Sequence, residues 1–90
     1  MKILGPTPDL VDKADLFRAL GDINRLRILA LVRARSLCVR ELVDALETPQ
    51  ATVSHHLKVL AQAGLVISSK EGRENHYRAT KVVESPIAVF

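Results

Sequence analysis

Two punctuating residues, Pro49 and Gly64, frame the stretch that most constrains how this chain can fold. Between them Val53, Leu57 and Leu60 recur at helical spacing, while Ser54, His55, Lys58 and Gln62 fall on the opposite side. Thr48 suits the cap and Pro49 the first position of a helix that extends to Ala63, and Gly64 supplies its stop. The aliphatic side of such a helix must be covered by other apolar elements. Its polar side, with Gln50 and Thr52 in the first turn, is left for solvent or a ligand.

The rest of the chain supplies that cover. Residues 9–20 read as a first helix, capped by Thr7 and opened by Pro8, with Leu10, Ala14 and Phe17 on one side and Gly21 as its stop. Asp22 suits the cap of a second helix to about Ala34, with Ile23, Leu26, Leu29 and Val32 inward and Arg25, Arg27, Arg33 and Arg35 outward. Ser36-Leu37-Cys38-Val39 is short and β-prone, and it leads into a brief helix from about Arg40 to Leu46 that turns Leu42, Val43 and Leu46 inward. Glu47-Thr48-Pro49 breaks the pattern before the framed helix. After Gly64, residues 65–70 and 75–80 are extended segments joined by Glu71-Gly72-Arg73-Glu74, which makes a β-hairpin.

Helix, helix, short helix, turn, helix and hairpin is the order of a winged helix-turn-helix. The expected fold is therefore mainly α with a small β-hairpin wing, a single domain over 1–90 with the helix-turn-helix at 40–63, the wing at 65–80 and a tail at 81–90. Ninety residues leave little room for a second core or a substrate cleft. No apolar run reaches the ~20 residues of a membrane span, and the N-terminal MKILGPTPDL lacks the features of a signal peptide. These features lead us to expect a cytoplasmic protein. Cys38 is the single cysteine, which excludes an intramolecular disulfide and a structural zinc site of several thiolates. With no general-acid pair, phosphate-binding glycine loop or metal tetrad in sight, an enzyme is not expected and no cofactor is implied.

The formal net charge of +3 suits an anionic partner without identifying one. From Thr48 onward the bases Lys58, Lys70, Arg73, Arg78 and Lys81 outnumber the acids Glu71, Glu74 and Glu84, whereas Asp9, Asp12 and Asp15 cluster near the start. An ordinary solvated surface would carry the same charges, so placement has to decide. A DNA major groove admits one α-helix, which reaches base edges with short polar side chains near its N-terminus. Gln50, Thr52, Ser54 and His55 answer to that description, and Gln50 has the geometry to pair bidentately with adenine. Lys58 adds a phosphate contact, and Lys70, Arg73, Asn75 and His76 at the hairpin tip lie ready for the neighbouring backbone or minor groove. His56 lies nearer the apolar stripe and divides between core packing and phosphate contact.

The blocks LGDINRLRILALV, SLCVRELVDAL, PQATVSHHLKVLAQAGLV and EGRENHYRAT resemble successive parts of the ArsR/SmtB family of repressors, over roughly residues 15 to 80. The resemblance implies a DNA-binding transcriptional repressor with Gln50, Thr52, Ser54, His55 and Lys58 on the reading helix and Arg73 at the wing tip. Many family members bind metal through two cysteines in a block resembling LCVCEL, where this chain reads Leu37-Cys38-Val39-Arg40-Glu41-Leu42. An arginine in place of the second thiolate repels a cation, and one soft ligand cannot complete the site, so no metal is expected there. Other relatives use Asp and His on a final helix, and residues 81–90 contain neither. The inducer is not legible.

One reading helix covers too few base pairs for selective binding, which predicts a homodimer on double-stranded DNA. In the resembled family the first and last helices form the interface. Here the Pro86-containing tail is too short for a closing helix, so Leu10, Val11 and Phe17 carry more of it, with Ile87, Val89 and Phe90 as further candidates; a DNA-binding piece of a longer protein is the competing expectation. Two other functions stay open at this level. One is a winged-helix module that grips a protein partner, and the other is a repressor that senses oxidants through Cys38, whose thiol could be activated by nearby Arg40 or simply pack as a small apolar group.

Overall fold

The computed structural model describes residues 5–82. Helix α1 (Pro8–Leu20) is capped by Thr7, whose hydroxyl accepts from the Leu10 N–H at 3.3 Å, with Pro8 in its first turn. Helix α2 (Ile23–Ala34) follows at once, capped by the Asp22 carboxylate, which accepts from the N–H groups of Asn24 and Arg25 at 2.8 and 3.2 Å. Strand β1 (Leu37–Cys38) leads into α3 (Val39–Leu46), a three-residue turn leads into α4 (Gln50–Gln62), and strands β2 (Val66–Glu71) and β3 (Glu74–Ala79) close the described chain.

The strands form one antiparallel sheet in the order β1-β3-β2. The hairpin is tighter than the sequence suggests, because the strands run on to Glu71 and Glu74 and leave only Gly72 and Arg73 between them. Gly72 adopts φ +65° at the first central position, the pattern of the type II′ turn that matches strand twist. Pairing of Leu37 with Tyr77 and Cys38 with His76 stitches the start of the helix-turn-helix to the wing.

Ile28, Leu29 and Val32 of α2, Leu42 and Leu46 of α3, Val53, Leu57 and Leu60 of α4, and Leu65 and Val66 form one buried cluster with Ala19 and Leu37. Full burial of an aliphatic side chain is worth roughly 1.5–3 kcal/mol, so the α4 stripe is the strongest reason for that helix to sit where it does. Two expectations about α2 fail. Ile23, read as inward, is 70% exposed because it stands at the first helical position beyond the body of the core, and Ile28 takes the inward place instead. Arg25, read as outward, is half-buried against α4.

The start of α4 also differs from the expected cap. Pro49 itself occupies the cap position and makes no side-chain cap bond, while the Thr48 hydroxyl turns back and donates to the Leu46 carbonyl at 3.0 Å. Thr48 is drawn away because Glu47 closes α3 in the left-handed conformation, φ 52°, and redirects the chain before Pro49. At the far end Gly64 leaves the helix with φ +77°, and the Leu65 N–H donates to the Leu60 carbonyl at 2.9 Å.

Helix α1 is the least integrated element. Ala19 is its one buried residue, with Leu16 and Leu20 partly covered, while Leu10, Val11 and Phe17 are exposed, Phe17 by 62%. The side shared by Leu10, Ala14 and Phe17 thus faces away from the chain's own core. Ile87, Val89 and Phe90 fall outside the described residues.

Candidate nucleic-acid interface

The interface is built outward from the buried stripe of α4. Val53, His56, Leu57 and Leu60 point into the core, which fixes the roll of the helix and turns Gln50, Thr52, Ser54, His55 and Lys58 to the exposed side. No side chain caps the first turn of α4, so its leading N–H groups are not occupied by a cap and its positive dipole end is open.

His56 separates from its neighbour. Its ring is 7% exposed, and Nδ1 accepts a hydrogen bond from Arg25 Nε at 3.1 Å. Of the two roles weighed for it, packing is the one its position serves, because a ring at that depth presents no free face for a phosphate. His55, with its ring centroid 6.0 Å away, stays on the exposed side.

On the wing, Lys70 pairs across the strands with Asn75, and both are exposed. Arg73 stands exposed at the turn. His76 lies on the other face of the ribbon, opposite Ser69, with Nδ1 3.2 Å from the Glu71 carboxylate. Lys70 and Asn75 therefore share one face with each other and not with His76. Among the described residues no ion pair engages Lys58, Lys70 or Arg73, whereas Lys13, Arg18, Arg35 and Arg40 all have carboxylate partners.

A cleft of about 380 Å³ joins the two halves of the interface, lined by Gln50 at the start of α4 and by Asn75 and Tyr77 of the wing. Arg40 and Glu74 lie on its wall, 3.1 Å apart, and tie α3 to the turn end of the wing. Cys38 borders the same cleft but is only 3% exposed. Its N–H donates to the Glu41 carboxylate at 3.1 Å, and Glu41 also meets Arg35 at 2.9 Å. The Cys38 N–H, then its thiol, and then Arg35 hold the Glu41 carboxyl below the usual carboxylate range, against a smaller upward push from burial.

Sequence reasoning missed Arg25 and the Arg40–Glu74 pair. Nothing in the α2 pattern distinguishes Arg25 from the outward arginines around it. The polar residue His56 within an otherwise aliphatic stripe was the available signal that a partner must be waiting.

An α3-turn-α4 unit backed by α2 and flanked by a two-stranded wing defines a winged helix-turn-helix protein. The model of the bacterial regulatory protein arsR family matches residues 22–68, and the chain belongs to that family. It is 48% identical over 65 residues to an HTH-type transcriptional regulator of Methanocaldococcus jannaschii, a match covering 71% of this chain and 73% of that protein. It is 46% identical over 74 residues to the HTH-type transcriptional repressor SmtB of Mycobacterium tuberculosis, covering 81% of this chain but 55% of the repressor. Among solved structures, a homodimeric winged helix-turn-helix DNA-binding domain from Mycobacterium bovis superposes with a TM-score of 0.80 at 28% identity, covering 91% of this chain and 81% of that one. Among the described residues, no helix is long and apolar enough to cross a membrane.

Proposed function

We propose that this chain is a sequence-specific transcriptional repressor that binds double-stranded DNA as a homodimer. Helix α4 lies in the major groove and reads bases with Gln50, Thr52, Ser54 and His55, while Lys58 meets phosphate. Lys70, Arg73 and Asn75 bring the wing against the adjoining backbone, whereas His76, between Cys38 and Ser69 on the opposite face of the ribbon, stays out of that contact. The observation that carries this reading is the open polar side of α4, held outward by Val53, Leu57 and Leu60. The unpaired cations on that side and on the wing support it, as does the likeness to a protein described as a homodimeric DNA-binding domain. The outward Leu10 and Phe17 of α1 provide the apolar surface that a second copy would cover.

The cysteine-pair metal site of the family does not fit the residues present. Arg40 occupies the place of a second thiolate and carries a guanidinium committed to Glu74, and among the described residues no three His, Cys, Asp or Glu side chains converge. Cys38 is accordingly read as a packing residue.

The test is selection of bound duplexes from a random pool, followed by binding to the recovered operator and to single-base variants. Gln50→Ala or His55→Ala should cost about 5- to 150-fold in preference at one or two positions, the value of a good base contact. Equal losses on every sequence would contradict the assignment of the reading helix.

A further inference from the structure

The one polar side chain on the buried side of α4 is held by a residue two helices away. Arg25 Nε donates to His56 Nδ1 at 3.1 Å, and the same guanidinium donates through Nη1 to the Arg18 carbonyl at 3.2 Å. That carbonyl belongs to the last turn of α1 and also accepts from the Gly21 N–H that ends the helix. Arg25 therefore bridges the C-terminal end of α1 to the middle of α4. Its own position is fixed from below by Asp22, whose carboxylate accepts the Arg25 N–H at the start of α2.

The chemistry of the bridge is directional. An Nδ1 that accepts leaves His56 neutral with its proton on Nε2, and a planar guanidinium offers two N–H groups in fixed geometry. Aliphatic contacts alone allow a helix to roll by small amounts over its neighbours, whereas a forked donor with one acceptor on each helix defines both roll and axial position. His55 follows His56 in this, since the two are adjacent on α4, one inward and one toward the exposed face.

We propose that Arg25 is a positioning residue for DNA recognition, one that sets where the reading face of α4 stands relative to α1 and hence the distance between the two reading helices of a dimer. This rests on the homodimeric DNA-binding reading, with α1 at the subunit interface. Arg25 touches no base in this scheme. It acts through His56, and its loss should relax the requirement for a particular half-site spacing while leaving the base preference within a half-site intact.

The test uses the full chain and duplexes carrying the selected half-sites at their natural spacing and at one base pair longer or shorter, with an isolated half-site as reference. Arg25→Met and His56→Leu keep comparable bulk and apolar packing but remove the bridge. His56→Asn keeps an acceptor close to the place of Nδ1. The first two should lower discrimination between spacings about fivefold or more, a typical coupling for groups in direct contact, while half-site base preference is retained. The Asn variant should keep most of the discrimination. Amide exchange of free protein gives a reading independent of DNA: the hydrogen-bonded amides of α4 around His56 should exchange faster in Arg25→Met and His56→Leu than in the wild type and His56→Asn. Unchanged spacing discrimination in Arg25→Met would overturn the positioning role and leave the DNA-binding reading standing. A wild-type protein without sequence-dependent binding would overturn both, and unchanged amide exchange in Arg25→Met would overturn the bridge by itself.

Discussion

The salt dependence of DNA binding can be worked from the structure. Each protomer presents three exposed cations on the reading side of α4 and toward the tip of the wing, Lys58, Lys70 and Arg73, with no carboxylate partner among the described residues; Arg78, also exposed, lies opposite Ile67 away from the tip, on the other face of the ribbon from Lys70, and is left out of the footprint. Two protomers double that set. At about 0.9 counterions released per neutralised phosphate, log affinity should fall against log salt with a slope of about −5.4, so raising salt from ~50 to ~200 mM should weaken binding by roughly two-thousandfold. Arg73→Ala removes two of those contacts from a dimer and should bring the slope to about −3.6, with roughly a 150-fold loss over the same range. Fluorescence anisotropy with a labelled duplex at several salt concentrations measures both slopes. A wild-type slope shallower than about −2, or a slope unmoved by Arg73→Ala, would refute the phosphate footprint. The variant should weaken all duplexes alike, because a wing-tip phosphate contact carries no base information.

Three further outcomes are expected. Asp22→Ala removes the α2 cap and should cost about 1 kcal/mol, a fall in melting temperature of about 4–8 °C at neutral pH, whereas Asp22→Asn should cost less. Burial pushes the Asp22 carboxyl up, but the N–H groups of Arg25 and Asn24, with the Arg25 guanidinium, outweigh it and leave it below its ordinary value. That stabilisation is present above the ordinary carboxylate pKa and is lost as pH falls through the lowered one, so melting curves of wild type and Asp22→Ala should converge in acid; a gap that persists there would contradict the cap. Phe17→Glu should shift the protein from dimer to monomer in sedimentation velocity, and a dimer that survives it would move the interface off α1. Cys38→Ser should leave duplex affinity unchanged, and zinc- or arsenite-dependent release in the wild type that vanishes in this variant would restore a thiol site.

The elements were legible because their boundaries are written in local chemistry. Thr7, Asp22 and Gly64 act within one turn of themselves, and the period of Val53, Leu57 and Leu60 already assigns the faces of α4. What escaped depended on contacts between distant residues. Arg25 meets His56 across 31 positions and Arg40 meets Glu74 from α3 to the wing, so neither partner is marked by its own neighbourhood. The cap of α4 was misread for a related reason. Thr48 had the right side chain at the right distance from the helix, but the left-handed Glu47 before it sets its direction, and a non-glycine residue in that conformation leaves no sequence signal. Leu10 and Phe17 show a third limit. Their helical spacing is correct, yet periodicity identifies an apolar side without saying whether the chain's own core or another molecule covers it.

The central claim is that the polar side of α4 meets the duplex. Amide chemical shifts of isotope-labelled protein, followed during titration with the selected operator, test it most directly. The largest changes should fall on Gln50, Thr52, Ser54, His55 and Lys58 and around Gly72 and Arg73, with the outward side of α1 unmoved. Changes confined to α1, with α4 and the wing silent at saturating duplex, would contradict it.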